Sequence, residues 1–151
     1  MSNFLSKSKF YGYPDQALFN KKEIDMDLKK YFEENNGTGI IATSDDRGKV
    51  NMAVYSKPHF MGNDEIAFIM TDKLTHHNLQ SNSSAAYLFK EEGDGYNGKR
   101  LYLTRLREEK DSELLYSIRS KKYKEGRKDD GPRFLVFFKI DKVLPLIGEG
   151  Q

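Results

Sequence analysis

Cysteine and tryptophan are both absent from the 151 residues. The lack of Cys excludes disulfides, thiolate nucleophiles and Cys-ligated zinc or iron–sulfur centres. Only 3 His are present, and two of them, His76 and His77, are neighbours. An all-His catalytic zinc site would need every one of them, and no metal site is expected. Long apolar runs are missing as well: nothing approaches the ~20 residues of a membrane-spanning helix. The opening MSNFLSKSKF holds no continuous apolar stretch of the kind that directs secretion. A cytoplasmic protein without membrane partners is the expectation. An excess of one charge is also lacking: 25 Lys plus Arg stand against 23 Asp plus Glu, a net +2. That balance gives the chain as a whole no electrostatic reason to bind nucleic acid. No GxSxG, P-loop or GxGxxG motif occurs. Gly93-Asp94-Gly95-Tyr96-Asn97-Gly98 precedes a predicted strand instead of joining a strand to a helix. It reads as a flexible loop, with a lid as one use open to it, and not as a phosphate cradle.

What the chain does have is aromatic rings. It holds 9 Tyr and 10 Phe, 13% aromatic with the absent Trp, against 37% hydrophobic and 32% charged residues, and its mean hydropathy is -0.76. Aromatic richness argues against wholesale disorder. Large rings supply buried area where aliphatics are few. The expectation is one domain over 1–151, with a thin core that dimerisation completes. Residues 1–22 read as an aromatic arm, with Phe4, Phe10, Tyr11, Tyr13 and Phe19 spread around Gly12 and Pro14. Residues 23–147 form the folded body.

The periodicities divide that body into elements. Ile24, Leu28, Tyr31 and Phe32 mark one face of a helix that ends at Asn35-Asn36-Gly37. Gly39 to Thr43 is apolar and β-branched. Asp45-Asp46-Arg47-Gly48 is a turn, and Val50, Met52 and Val54 alternate with Asn51, Ala53 and Tyr55. Together they predict a β-hairpin. Ile66 to Met70 predicts a strand buried on both faces. Thr71-Asp72 supplies a cap for a short helix with Leu74 and Leu79, which Asn82-Ser83-Ser84 closes. Ala85 to Phe89 and Leu101 to Arg105 predict two more strands. Asp111 or Ser112 caps a helix with Leu114, Leu115 and Ile118. Phe134 to Ile140 is a strand, and Val143 to Ile147 a short apolar end. Six or so short strands with tight turns and irregularly placed helices fit a mainly β class, a mostly antiparallel β-barrel with peripheral helices.

The densest chemical signal is Met70 to Leu79, where a buried strand runs into a helix start. Unpaired N–H groups and the positive end of the helix dipole make an anion site there. Thr71 and Thr75 add hydroxyls and Lys73 a charge, so a phosphate is one natural guest. The plainer reading is a capped helix with a solvated Lys73. His76 and His77 point about 100° apart on a helix, so they are poor joint ligands for one ion. His59 precedes Phe60 in a turn-like segment with no evident partner. Arg119, Lys121, Lys122, Lys124, Arg127 and Lys128 face only Glu125 within 119–128. That run reads as a solvated surface before it reads as a nucleic-acid contact.

In order, these pieces resemble the pyridoxamine 5′-phosphate oxidase-like FMN-binding split barrels. Gly39-Ile40-Ile41-Ala42-Thr43, the turn and Val50-Asn51-Met52-Ala53 resemble the opening hairpin. Ile66 to Thr71 with Lys73-Leu74-Thr75-His76-His77-Asn78-Leu79-Gln80-Ser81-Asn82 resembles the third strand and the phosphate-side helix. Asn97 to Thr104 is similar to a later strand. The resemblance spans roughly residues 35–147. It implies a homodimer with FMN at the subunit interface. It also implies that the backbone of Asn51, Met52, Ala53 and Val54 follows the isoalloxazine ring. Ile69, Met70, Thr71, Lys73, Leu74 and Thr75 would face the ribityl chain and phosphate. Arg100 would correspond to a position supplied by the other subunit. Many members carry an adjacent Arg-Lys pair where this chain has Leu74 and Thr75. The basic substrate motif of true pyridoxamine phosphate oxidases is not evident around Pro132 to Gln151. The implied function is therefore an FMN-using small oxidoreductase other than that enzyme, with no catalytic side chain assigned. Tyr55 and Tyr96 are open either to a substrate or to the interface. The alternative is a flavin- or haem-binding or electron-transfer module without turnover, and a deazaflavin is a further cofactor the fold admits.

Overall fold

The computed structural model describes residues 27–62, 64–119 and 131–148. The aromatic arm, Ile24 and most of the basic run lie outside those residues. The chain divides into two compact units, Met1–Glu34 and Asn35–Gln151. In the first, residues 27–34 are helical (α1), and the rings of Tyr31 and Phe32 meet edge-on at 5.2 Å.

The second unit is built on one antiparallel sheet. Its strands are β1 (Gly37–Ser44), β2 (Val50–Tyr55), β3 (His59–Gly62), β4 (Glu65–Thr71), β5 (Ser84–Glu91), β6 (Gly98–Lys110) and β7 (Arg133–Pro145). Helix α2 (Leu74–Ser81) follows β4, and α3 (Glu113–Ile118) lies between β6 and β7. The spatial order is β2-β1-β5-β6-β7-β4-β3. Seven strands match the expected six or so; the added one is β3, because His59-Phe60 is not a turn. It pairs as His59 with Ala67 and Phe60 with Ile66, and the register then shifts before Gly62. Residues 133–145 form one continuous strand where the sequence suggested a strand and a separate tail. Irregularities in the β6–β7 pairing at Tyr102/Leu103 and Arg105/Arg107 let two 13-residue strands bend around the body.

The register separates two faces. Asn51, Thr43, Ala85, Leu103 and Ile140 form one inward row, and Ala53, Ile41, Tyr87 and Leu101 form the next. On β4 and β7 the inward side holds Ile66, Phe68 and Met70 opposite Phe138, Val136 and Phe134. Phe68 of β4 meets Tyr87 of β5 at 5.0 Å, Phe138 of β7 at 5.9 Å and Tyr55 of β2 at 6.0 Å between ring centroids. Strands far apart in the sheet order thus touch through one ring, which requires the sheet to curl into a barrel. Gly39 permits this closure. A Cβ there would overlap the Tyr87 hydroxyl, which donates to the Ser56 carbonyl at 3.0 Å and ties down the link from β2 to β3. Burial raises the Tyr87 pKa above the ordinary tyrosine value.

The other side of β4 and β7 has its own cover. Ala67, Leu135 and Phe137 pack with Leu115 of α3, and Met61, Ile69, Tyr116 and Ile118 border them. Both faces of β4 are therefore buried, as its unbroken apolar run predicts. Ser112 is the N-cap of α3, accepting from the Leu115 N–H at 3.1 Å. The β1–β2 turn closes as expected: Asp45 Oδ1 accepts from the N–H groups of Arg47 and Lys49 at 2.9 and 2.8 Å. Gly48 takes φ 86°, a backbone shape that favours glycine.

Candidate functional site

The site begins where β4 ends. The Lys73 N–H donates back to the Thr71 carbonyl at 2.9 Å, and Lys73 is the N-cap of α2 in extended conformation. Neither Thr71 nor Asp72 caps the helix, contrary to the sequence expectation. The chain turns one residue later, and the Asp72 carboxylate stands 3.6 Å from Nδ1 of His76, one turn on. Lys73 gives the first turn no side-chain hydrogen bond, and that turn holds no acidic residue. Its N–H groups and the positive dipole end are left for an external anion.

Thr75 is buried in this first turn, and its Oγ1 accepts from Asn51 Nδ2 at 3.4 Å. An oxygen that already accepts has its own proton free to donate. Asn51 thus ties β2 to α2 and leaves the Thr75 hydroxyl hydrogen for a guest. Lys73 and Leu74 are exposed beside it. Ile69 and Met70 lie close in sequence, but their side chains are committed to packing: Ile69 to the cluster under α3, Met70 to the barrel interior.

The alternation on β2 turns its apolar members outward. Val50, Met52 and Val54 are 76%, 72% and 76% exposed. Val54 and Met52 head two outward rows: Val54, Ile40, Leu88 and Arg100, then Met52, Ala42, Ala86 and Tyr102. β2 is also an end strand, so alternate backbone groups of 51–54 face away from β1. Arg100 lies beyond β1 and β5, roughly 14 Å from β2 at ordinary strand spacing. Its guanidinium donates to the carbonyls of Pro145 at 2.9 Å and Gly148 at 3.4 Å. The structure thus brings Asn51, Lys73, Leu74 and Thr75 together, places Met52, Ala53 and Val54 alongside, and sets Arg100 apart.

Behind α2 lies a polar cluster that sequence reasoning did not find. His76 is buried while His77 is exposed, as their angular separation requires. Nε2 of His76 donates to Glu108 Oε2 at 2.8 Å. Glu108 Oε1 accepts from Gln80 at 2.9 Å and from Arg105 at 2.6 Å. The spacing of His76 and Gln80 signals a shared helix face; nothing local announces Glu108. Among the described residues, no three His, Asp or Glu side chains converge as metal ligands.

Burial alone would raise the Glu108 pKa, but the donors Gln80, Arg105 and His76 outweigh it and hold the carboxyl down at about 2. A depressed carboxylate stabilises the fold fully above its ordinary value of 4.5. That contribution drains away as the pH falls toward 2 and amounts to roughly 2–3 kcal/mol. Urea unfolding should therefore show the native chain losing about 2 kcal/mol more than Glu108→Gln between pH 7 and pH 3. Equal losses in both would dismiss Glu108 as an acid-sensitive tie.

No protein-family model and no curated protein matches the chain. Solved structures do. An FMN-binding protein from Syntrophomonas wolfei subsp. wolfei aligns over 97% of this chain and 99% of its own, with TM-score 0.71 and 19% identity. An F420 reductase aligns over 74% and 91%, with TM-score 0.58 and 14% identity. A FAD-binding protein from Mesorhizobium loti aligns over 78% and 90%, with TM-score 0.54 and 16% identity. The fold of this chain is the split barrel that these proteins share. No described helix is long and apolar enough to cross a membrane.

Proposed function

We propose that the chain is an FMN-binding flavoprotein that works as a homodimer and serves as a small oxidoreductase. One juxtaposition carries the reading: the uncapped first turn of α2, with Thr75 inside it, adjoins an end strand whose outer face is apolar and exposed. A phosphate suits the first, and a flat hydrophobic ring system suits the second. The Syntrophomonas structure, matched over nearly its whole length, supports FMN ahead of FAD or F420.

When bound, FMN supplies hydride and one-electron chemistry. The chain's residues do the rest. The N–H groups of α2 and the Thr75 hydroxyl hold the phosphate, and Lys73 adds charge at the rim. Backbone groups on the free edge of β2 meet the polar edge of the ring. Met52 and Val54, with Ile40 and Leu88, exclude water once a second copy covers them. Arg100 reaches the cofactor from that second copy, since its own β2 is too distant. No acid–base pair is needed for such a role.

The absorbance spectrum of the protein as isolated is the direct test. Flavin bands, with FMN released on denaturation, are expected. Colourless protein that gains no thermal stability from added FMN would defeat the proposal, and a Soret band would replace flavin by haem. Reoxidation of photoreduced flavin by an acceptor at a useful rate separates an enzyme from a binding module. Thr75→Val keeps the shape and removes the donor. It should weaken FMN about tenfold, the cost of one hydrogen bond to a charged group, and leave riboflavin nearly unchanged. Equal retention of FMN would show that the phosphate lies elsewhere.

A further inference from the structure

The cluster behind α2 has no part in that reading, yet it bears on it. Helix α2 spans only 8 residues, and its buried side chains are Thr75, His76, Asn78 and Leu79. A helix this short is marginal alone and depends on its surroundings. One apolar anchor, Leu79, leaves its orientation to directional bonds, because apolar burial is non-directional. These reach three different strands. Thr75 accepts from Asn51 of β2 at 3.4 Å. Asn78 donates to Thr43 of β1 at 3.2 Å. His76 donates to Glu108 of β6 at 2.8 Å.

The third is the shortest and, with the bond of Gln80 to the same carboxylate at 2.9 Å, runs to an ionised group, the kind of hydrogen bond roughly twice as strong as a neutral one. It is also well prepared. The His76 ring is 7% exposed and lies flat on Phe134, with centroids 3.8 Å apart and planes 16° apart. Arg105 and Gln80 hold Glu108 from its other oxygen, and Gln80 also donates to the His76 carbonyl at 3.1 Å. Asp72 completes the surroundings at 3.6 Å from Nδ1.

We infer that His76 is a positioning residue for the anion site: through Glu108 it fastens the first turn of α2 to β6 and so fixes where Thr75 and the neighbouring N–H groups point. The inference rests on α2 being the phosphate side of the flavin site. It predicts a loss specific to the phosphate, which general destabilisation would not produce.

The test compares dissociation constants of FMN and riboflavin, read by quenching of flavin fluorescence, in the full chain. Riboflavin lacks only the phosphate, so the ratio of the two constants isolates that group. His76→Phe keeps the stack on Phe134 and removes the donor. It should cut the FMN-over-riboflavin ratio by about tenfold. His76→Gln restores an N–H donor and should return the ratio to within about threefold of the native value. Glu108→Gln, which keeps the shape of the acceptor, should lower the ratio in the same direction. It carries the test alone if His76→Phe does not fold. A native ratio in these variants, with both flavins weakened equally or not at all, overturns the positioning role while the flavin site stands. A native chain that binds flavin without preferring FMN removes the phosphate from α2, and the inference with it.

Discussion

Met52→Asp combined with Val54→Asp is expected to give a folded monomer that retains no flavin. The two side chains are 72% and 76% exposed in the single chain. Charge there costs the isolated fold little, and circular dichroism should match the native protein. In the proposed dimer the same positions would lie under the second copy. An unpaired carboxylate buried in such an interface costs several kcal/mol. Two per chain should weaken association by more than about a hundredfold, since every 1.4 kcal/mol is tenfold. The exposed Val50, Met52 and Val54, continued by Ile40 and Leu88, form the contiguous apolar patch that a soluble monomer rarely shows. Light scattering reads the mass, and the spectrum of the same sample reads the flavin. A native chain that is itself monomeric, or a double variant that stays dimeric and yellow, would refute the placement of the interface on this face.

Phe68→Ala should cost about 3–5 kcal/mol, the range for removing a large ring from a filled core. Phe68 is 1% exposed and touches rings from β2, β5 and β7. Its loss opens a void at the point where the ends of the sheet meet. Domains of this size have about 5–15 kcal/mol of stability in total, so much of the reserve would go. Urea unfolding with an unchanged slope and a lower midpoint is the expected pattern. A change below about 1 kcal/mol would mean that the barrel closes without this contact.

Much of this architecture is legible in the residues. The run Ile66 to Met70 announced a strand covered on both sides, and the barrel and α3 cover it. Asp45 to Gly48 announced the first turn. The alternation of Val50, Met52 and Val54 announced two faces, but period two does not say which face is inward. Here the small and polar members, Asn51 and Ala53, fill the barrel, and the larger apolar ones face out. β3 was hidden because four residues with an irregular register carry too little pattern. The cap of α2 was misplaced because Thr71 and Asp72 both have capping chemistry. Geometry gives Asp72 to His76 instead. Glu108 was invisible as a partner of His76, since only the fold of β6 brings it near. What the sequence showed about the site was its local part, from Thr71 to Thr75. Asn51 to Val54 of β2 and Arg100 of β6 entered only through the family resemblance, and the partner of His76 on β6 stayed hidden.

The strand order has a consequence for how the chain reaches this state. Neighbours in sequence give three hairpins, β1–β2, β3–β4 and β5–β6, which form on a microsecond scale. The barrel needs more distant meetings. β4 must find β7, where Glu65 pairs with Lys139, and β1 must find β5, where Gly37 pairs with Glu91. Topologies ruled by such remote pairings fold in milliseconds to seconds. During that interval an apolar β2 waits with one edge unpaired. Slow folding then carries a risk of aggregation, because the strand proposed to seat a flat ring is also the one most open to the wrong neighbour.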